Sequence, residues 1–247
     1  MRSKRGRLDR FISQHTQISR NKLRTAFAAG KVSVDGQIET DPGYQINEFS
    51  RIVLNPGTEQ EQVLQENSPL YLMLHKPRGV VSATKDHQHQ TVLDLIDHPR
   101  KEELFLVGRL DLNSTGMLLL TNDSRWSQRI MAPEAKVEKV YQVELEKDVT
   151  PDYIDAFAQG MYFPFEDITT LPAKLEILGP RLTRVTLQEG RYHQIKRMFG
   201  RFRNAVVSLH RESIGELELA KPDGTALELG EWVEIEPAKD LNSKSPG

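Results

Sequence analysis

From Thr58 to Ser68 the chain turns polar, Glu and Gln dominate, and no apolar periodicity survives. Such a segment has nothing to bury. It therefore divides the 247 residues into a short amino-terminal piece and a long remainder, each needing a core of its own. Length alone allows one large domain or a small one joined to a larger one, and the local signals favour the second. The expected boundaries are a module over 1–58, a linker over 59–68, a second domain over 69–238 and a disordered tail over 239–247.

In the amino-terminal piece, Leu8, Phe11 and Ile12 are spaced as one face of a short helix. Ser19 stands where it would cap a second helix carrying Leu23, Phe27 and Ala28, and Gly30 would stop it. Residues 31–38 alternate as a strand and turn at Asp35-Gly36, a strong hairpin signal. Residues 51–54 form another strand, closed by Asn55-Pro56-Gly57.

Beyond Pro69, strand-like runs recur at 70–74, 104–107, 117–121, 140–145, 173–178, 184–187 and 206–209. Helical stretches fall near 91–96, 124–131, 151–160 and 193–202, the third opened by Thr150-Pro151 with a capping hydroxyl and a proline at the first helical position. Many strands and few helices, out of strict alternation, predict an α+β fold with a mixed or largely antiparallel sheet.

Charge narrows the function. The net charge of −2 hides a segregation: residues 1–31 carry nine Lys or Arg against Asp9 alone, and residues 181–211 carry eight against Glu189 alone. Residues 212–247 reverse the balance, with nine acids against three lysines. Basic blocks offset by an acidic end suit a protein that presents cations to phosphates, although a patchy solvated surface would read the same way. No apolar run approaches the roughly 20 residues a membrane span needs, and the start MRSKRGRLDR lacks the apolar stretch of a secretory signal, so the expected location is the cytoplasm. The absence of cysteine excludes disulfides, a thiolate nucleophile and Cys-containing zinc sites.

The segment from Val107 to Asp123 places one carboxylate, Asp111, on a polar loop bounded by Gly108 and Gly116 and flanked by apolar strand runs. Such a loop can hold a charge at the edge of a buried sheet, beside a cation. By physics alone, Asp111 is more often a turn residue bonding its own backbone. Other motifs lead nowhere. Ser82-Ala83-Thr84-Lys85 has the S-x-x-K spacing of serine acylases without their companion motifs. His87 and His89 lack further metal ligands nearby, and Asp111 with Asp123 would make a glycosidase pair only in a cleft richer in aromatics than 7% suggests. Neither type of Gly-rich phosphate loop occurs, so no nucleotide cofactor is suggested.

The literal wording of the Asp111 segment resembles the active-site motif of the pseudouridine synthases: Gly108-Arg109-Leu110-Asp111, then Ser114-Thr115-Gly116, an apolar run and Thr121-Asn122-Asp123. Three more segments in family order carry the same resemblance. They are the strand and K-P-x-G loop at 71–82, the K-x-Y element at Lys139-Val140-Tyr141, and the run Glu189-Gly190-Arg191-Tyr192-His193-Gln194-Ile195-Lys196-Arg197-Met198-Phe199. The helix, basic helix and Val-x-Val-Asp-Gly hairpin of residues 6–58 resemble an S4 RNA-binding module.

What these resemblances imply is a cofactor-independent isomerase that converts a uridine of ribosomal RNA to pseudouridine. Asp111 would be its carboxylate, acting by attack on sugar or base or as a base at the ribose. Lys196 would orient Asp111, though alone it reads as one more phosphate contact. Tyr141 would stack on the flipped uracil and handle its C5 proton, though alone it reads as a core aromatic. Arg109 would fill the space the base leaves. Arg7, Arg10, Ser19, Arg20, Lys22, Arg24 and Lys31 of the first module, with Lys76, Arg191, His193, Arg197, Arg201 and Arg203, are expected on the RNA. The wording is most similar to the subfamily acting on small-subunit RNA, free or in an assembling subunit; large-subunit enzymes usually have arginine where this chain has Lys196. His75 stands where the family has asparagine, and Asn113 where an acid is common. The competing readings are a large-subunit enzyme and a non-catalytic assembly factor. A monomer with no bound metal is expected.

Overall fold

The computed structural model of the protein describes residues 6–237, and the tail expected over 239–247 lies outside the described residues. The chain divides after Pro69 into two units, each with its own core.

In the first unit, β1 (Gly6–Arg7) leads into α1 (Leu8–His15), followed by α2 (Arg20–Ala28). Leu8 and Ile12, and Leu23 and Phe27, lie one turn apart, so each helix buries one face, against Val32, Val34, Ile52 and Leu54. Ser19 occupies the N-cap of α2 with extended backbone, but its side chain makes no capping bond. Gly30, at φ +64, ends α2 as its sequence position predicts. β2 (Val32–Val34) and β3 (Gln37–Ile38) pair across Asp35 (φ 51) and Gly36 (φ 82), the two left-handed residues that a type I′ turn requires. β4 (Gln45–Ile46) pairs with β1, and β5 (Ile52–Leu54) with β2.

The polar stretch expected as a linker over 59–68 contains a strand: β6 (Gln62–Gln65) pairs antiparallel with β5, Val63 opposite Val53. An edge strand is stabilised through its neighbour's backbone and needs no apolar face, so periodicity does not reveal it.

The second unit opens with β7 (Tyr71–Lys76), β8 (Phe105–Val107), β9 (Thr115–Thr121), α3 (Ser124–Met131), β10 (Lys139–Leu145) and α4 (Asp152–Gln159). A small hairpin follows, β11 (Tyr162–Phe163) and β12 (Ile168–Thr169), then β13 (Lys174–Gly179), β14 (Leu182–Leu187), α5 (Gln194–Gly200), β15 (Val206–Ile214), β16 (Leu217–Glu218) and β17 (Trp232–Glu234). The large sheet runs β13-β14-β10-β15-β9-β7-β17, with β16 added on β15 and β8 on β9. Every pair is antiparallel except β15 with β9, which run parallel through His210–Thr115 and Arg211–Gly116. Two antiparallel halves thus meet at one short seam, the mixed sheet of an α+β fold. Glycine is required there: Gly116 has φ +108, and a Cβ on it would lie 2.3 Å from the Arg211 carbonyl oxygen.

Each half buries its faces by strand alternation. Leu72, Leu74, Leu118 and Leu120 pack on Val92 and Ile96, while Met73, Met117 and Leu119 pack on Trp126 and Ile130 of α3. Covered on both sides, β9 reads as an unbroken apolar run. In the other half, Tyr141, Val143, Val185 and Leu187 face Phe157 of α4 and Ile195, Met198 and Phe199 of α5. The helix expected over 91–96 is a single 3-10 turn, Val92–Leu95, capped by Thr91. The strand expected over 206–209 runs on to Ile214, where buried and half-exposed residues alternate without an apolar sequence pattern.

Candidate active site

Asp111 sits on the loop between β8 and β9, just ahead of the seam. Neighbouring segments pin that loop on both sides of the carboxylate. The Ser82 hydroxyl donates to the Leu110 carbonyl at 2.7 Å and accepts from the Leu110 N–H at 3.0 Å. The Gly79 N–H donates to the Leu112 carbonyl at 2.9 Å, and the Ser114 N–H closes a turn onto the Asp111 carbonyl at 3.0 Å.

Lys76 completes this support, which corrects its expected place on RNA. Its side chain is 0% exposed, and Nζ donates to the carbonyls of Ser114 (2.8 Å), Pro77 (2.9 Å) and Leu112 (3.3 Å). A buried ammonium reaches no phosphate. Burial pushes it down to about 8, opposed by the nearby charge of Asp111.

Two side chains from the α5 segment meet the Asp111 carboxylate. Lys196 Nζ donates to Oδ2 at 2.5 Å, and His193 Nε2 lies 3.2 Å from Oδ1. His193 holds the N-cap of α5 in a left-handed conformation (φ 48), three residues before Lys196. The structure therefore brings His193, expected on a phosphate, onto the carboxylate itself.

Tyr141 on β10 lies directly across from Arg211 on β15. Arg211 is buried; its Nε donates to the Met117 carbonyl at 2.8 Å and its Nη1 to the Tyr141 hydroxyl at 3.4 Å. It ties Tyr141 to the strand that continues from the Asp111 loop. Arg211 and Ser82 are the supports that sequence reasoning missed. Asp111, Arg109, Tyr141, Arg191, His193 and Lys196 all line one small cavity of about 80 Å³. Arg109 is exposed on its rim.

The remaining expected cations divide into two groups. Arg197 gives both Nη groups to Glu166, at 2.6 and 2.5 Å, and lies 3.8 Å over the Phe163 ring, so its expected phosphate role is replaced by an internal one. Arg191 is bonded to Glu189 at 2.9 Å. Arg201 and Arg203 are exposed beyond α5. In the first unit, Arg7, Arg10, Arg20 and Arg24 line an open groove of about 780 Å³, while Lys22 and Lys31 are exposed outside its lining. Arg7 also carries Asp9 on its guanidinium at 2.9 and 3.1 Å.

A larger open groove, about 1020 Å³, runs over the polar face of β10, β14 and β15. It is lined by none of Asp111, Tyr141 and Lys196, so size does not mark the chemistry. Asp123, the second acid of the glycosidase pairing, is occupied elsewhere: it caps α3 at the N–H groups of Arg125 and Trp126 and accepts from the Tyr71 hydroxyl at 2.9 Å. The Ser82 hydroxyl is engaged with Leu110, away from any acylase role.

A carboxylate met by a lysine and a histidine beside an aromatic ring suits bond rearrangement at a sugar or a base, and comparison with known proteins supplies the family. The RNA pseudouridylate synthase profile matches residues 70–200, and the S4 domain profile residues 6–52. The chain is similar to the ribosomal small subunit pseudouridine synthase A of Pseudomonas aeruginosa, 50% identical over 85% of this chain and 90% of that one. It is similar to the protein of the same name from Escherichia coli K12, 40% identical over 86% and 90%. A crystal structure of a pseudouridylate synthase superposes over 95% of this chain and 99% of the other, with a TM-score of 0.66 and 35% identity. Sequence motifs, fold and site agree: the chain belongs to the RNA pseudouridylate synthases, with an S4 domain ahead of the catalytic one.

Proposed function

We propose that this pseudouridine synthase isomerises a uridine of small-subunit ribosomal RNA in the cytoplasm, as a monomer, with Asp111 as its catalytic carboxylate. The observation that carries the site assignment is the Asp111 carboxylate met by Lys196 at 2.5 Å and His193 at 3.2 Å in the cavity beside Tyr141. The small-subunit substrate is supported by the relatives that bear that name at 40% and 50% identity.

The reaction breaks the bond from C1′ to N1 of uracil, turns the base and joins C5 to C1′; the proton lost from C5 balances the one gained at N1. Asp111 serves as nucleophile toward sugar or base, or as the base at the ribose. Lys196 and His193 fix the direction of its two oxygens. The Tyr141 ring forms the stacking wall, and its hydroxyl, held by Arg211, is the candidate for the C5 proton. At about 80 Å³ the cavity is small beside the roughly 300–1,000 Å³ of ordinary ligand pockets. A flipped uridine therefore displaces side chains at the rim, where Arg109 is exposed.

Carbodiimide primer extension on both ribosomal RNAs from cells lacking the protein tests this. One lost stop in small-subunit RNA, restored by wild type and not by Asp111→Asn, is expected. A lost stop in large-subunit RNA would replace the substrate, and no lost stop would favour a binding factor.

A further inference from the structure

The hairpin of β11 and β12 carries the most exposed large apolar side chain among the described residues. Phe163 is buried, yet Phe165 at the turn is 96% exposed. The turn is built to hold a shape: Asp167 is left-handed (φ 53) and accepts from the Tyr162 hydroxyl at 2.8 Å. A single exposed phenylalanine needs no explanation. Its surroundings change that reading. Glu166, the next residue, receives both Nη groups of Arg197, whose guanidinium also covers Phe163. Arg197 follows Lys196 on α5, and Lys196 touches Asp111. The stem is tied to the same segment again where the Leu171 N–H donates to Glu189 at 2.9 Å.

A second exposed aromatic belongs to this assembly. Tyr192 is 72% exposed, and its carbonyl accepts from Arg197 Nη1 at 3.4 Å. Its ring stacks on His193 at 3.9 Å between centroids, and His193 in turn meets Asp111. From the carboxylate outward the contacts therefore run His193, Tyr192, Arg197, Glu166, with Phe165 next in the chain.

We infer that Phe165 and Tyr192 form a stacking platform for the unpaired bases that flank the target uridine. The inference rests on the reading that this cleft takes RNA. Bases drawn out of a helix stack on aromatic faces with little sequence preference, and the fixed hairpin supplies such a face without first having to be ordered. Arg197 has its charge engaged by Glu166, so its part is to position both aromatics rather than to meet a phosphate.

The test uses the full-length protein and transcribed small-subunit ribosomal RNA. Phe165→Ala should raise Kd about 5- to 150-fold, the equivalent of ~1–3 kcal/mol per stacked base, with the loss in Kd rather than in the single-turnover rate at saturating RNA. The slope of log Kd against log salt should stay as in wild type, because no charge is removed. Phe165→Trp should bind and show indole emission quenched by RNA beyond any change in wild type. An unchanged Kd for Phe165→Ala, or an unquenched Phe165→Trp, would overturn the platform. Quenching needs no turnover, so it decides the platform even if wild type leaves this RNA unmodified, an outcome that would instead sink the substrate reading.

Discussion

On one side of the Asp111 cleft, the loop before β9 is fixed by bonds to backbone, Ser82 on Leu110, Gly79 on Leu112, and Lys76 on Leu112 and Ser114, the last of them buried. On the other side, α5 and the segment before it are held by ion pairs that water reaches: Arg191 with Glu189, Arg197 with Glu166, Lys196 with Asp111. Ion pairs open to water contribute about 0–1 kcal/mol and exchange partners readily, whereas a buried polar group stripped of its partner costs about 1–3 kcal/mol. The first wall sets where the carboxylate stands. The second wall, open to water, holds its segment less rigidly.

The largest expected effect falls at the seam behind the first wall. Gly116→Ala puts a Cβ 2.3 Å from one backbone atom of Arg211 and 2.5 Å from another, at φ +108. A loss of stability on the order of 4 kcal/mol follows, and a denaturation midpoint equal to wild type would remove the seam from the account. Next comes the second wall. Lys196→Met should lower the rate at saturating RNA about 10²- to 10³-fold while Kd moves only a few-fold. Loss in Kd alone would reduce Lys196 to a phosphate contact.

A smaller, pH-dependent effect separates Lys76 from Lys196. The folded pKa of Lys76 is lowered from 10.5 to about 8 by burial. Below about pH 8 both folded and unfolded chains carry the proton; between about 8 and 10.5 the unfolded chain alone keeps it, so stability rises with pH. Denaturant titrations should show wild type gaining on Lys76→Met across that window by on the order of 2 kcal/mol. A constant difference would mean that Lys76 reaches solvent. Smallest is the salt response. Arg201→Ala should lower the slope of log Kd against log salt by about 0.7–0.9, and Arg197→Ala by much less, its charge being engaged by Glu166. Equal slopes would erase the distinction.

The first wall left a trace in the sequence that residue type concealed. Leu72, Leu74 and Lys76 alternate onto one face of β7, and the two leucines enter the core, so Lys76 follows them inward. Reading lysine as a phosphate contact ignored that parity. His193 and Lys196 stand three apart at a helix start, which signals a shared target without naming it. Asp111, Tyr141 and Lys196 stand out as candidates because each sits in a local motif, and the cavity lining brings all three together. Arg211 on Tyr141 and Arg197 on Glu166 join residues 70 and 31 positions apart. Only folding makes such pairs, so no local pattern announces them. The polar edge strand β6 is hidden for a related reason, since its partner is the backbone of β5.

Asp111 is proposed to perform the chemistry while the rest of the site positions it. The most direct test is release of tritium from C5-labelled small-subunit RNA by wild type and by Asp111→Asn, with Kd measured on the same RNA. Release by wild type is expected, with loss of at least about 10³-fold in the variant and a Kd within a few-fold of wild type. Turnover by Asp111→Asn within tenfold of wild type, or affinity lost in step with activity, would contradict it.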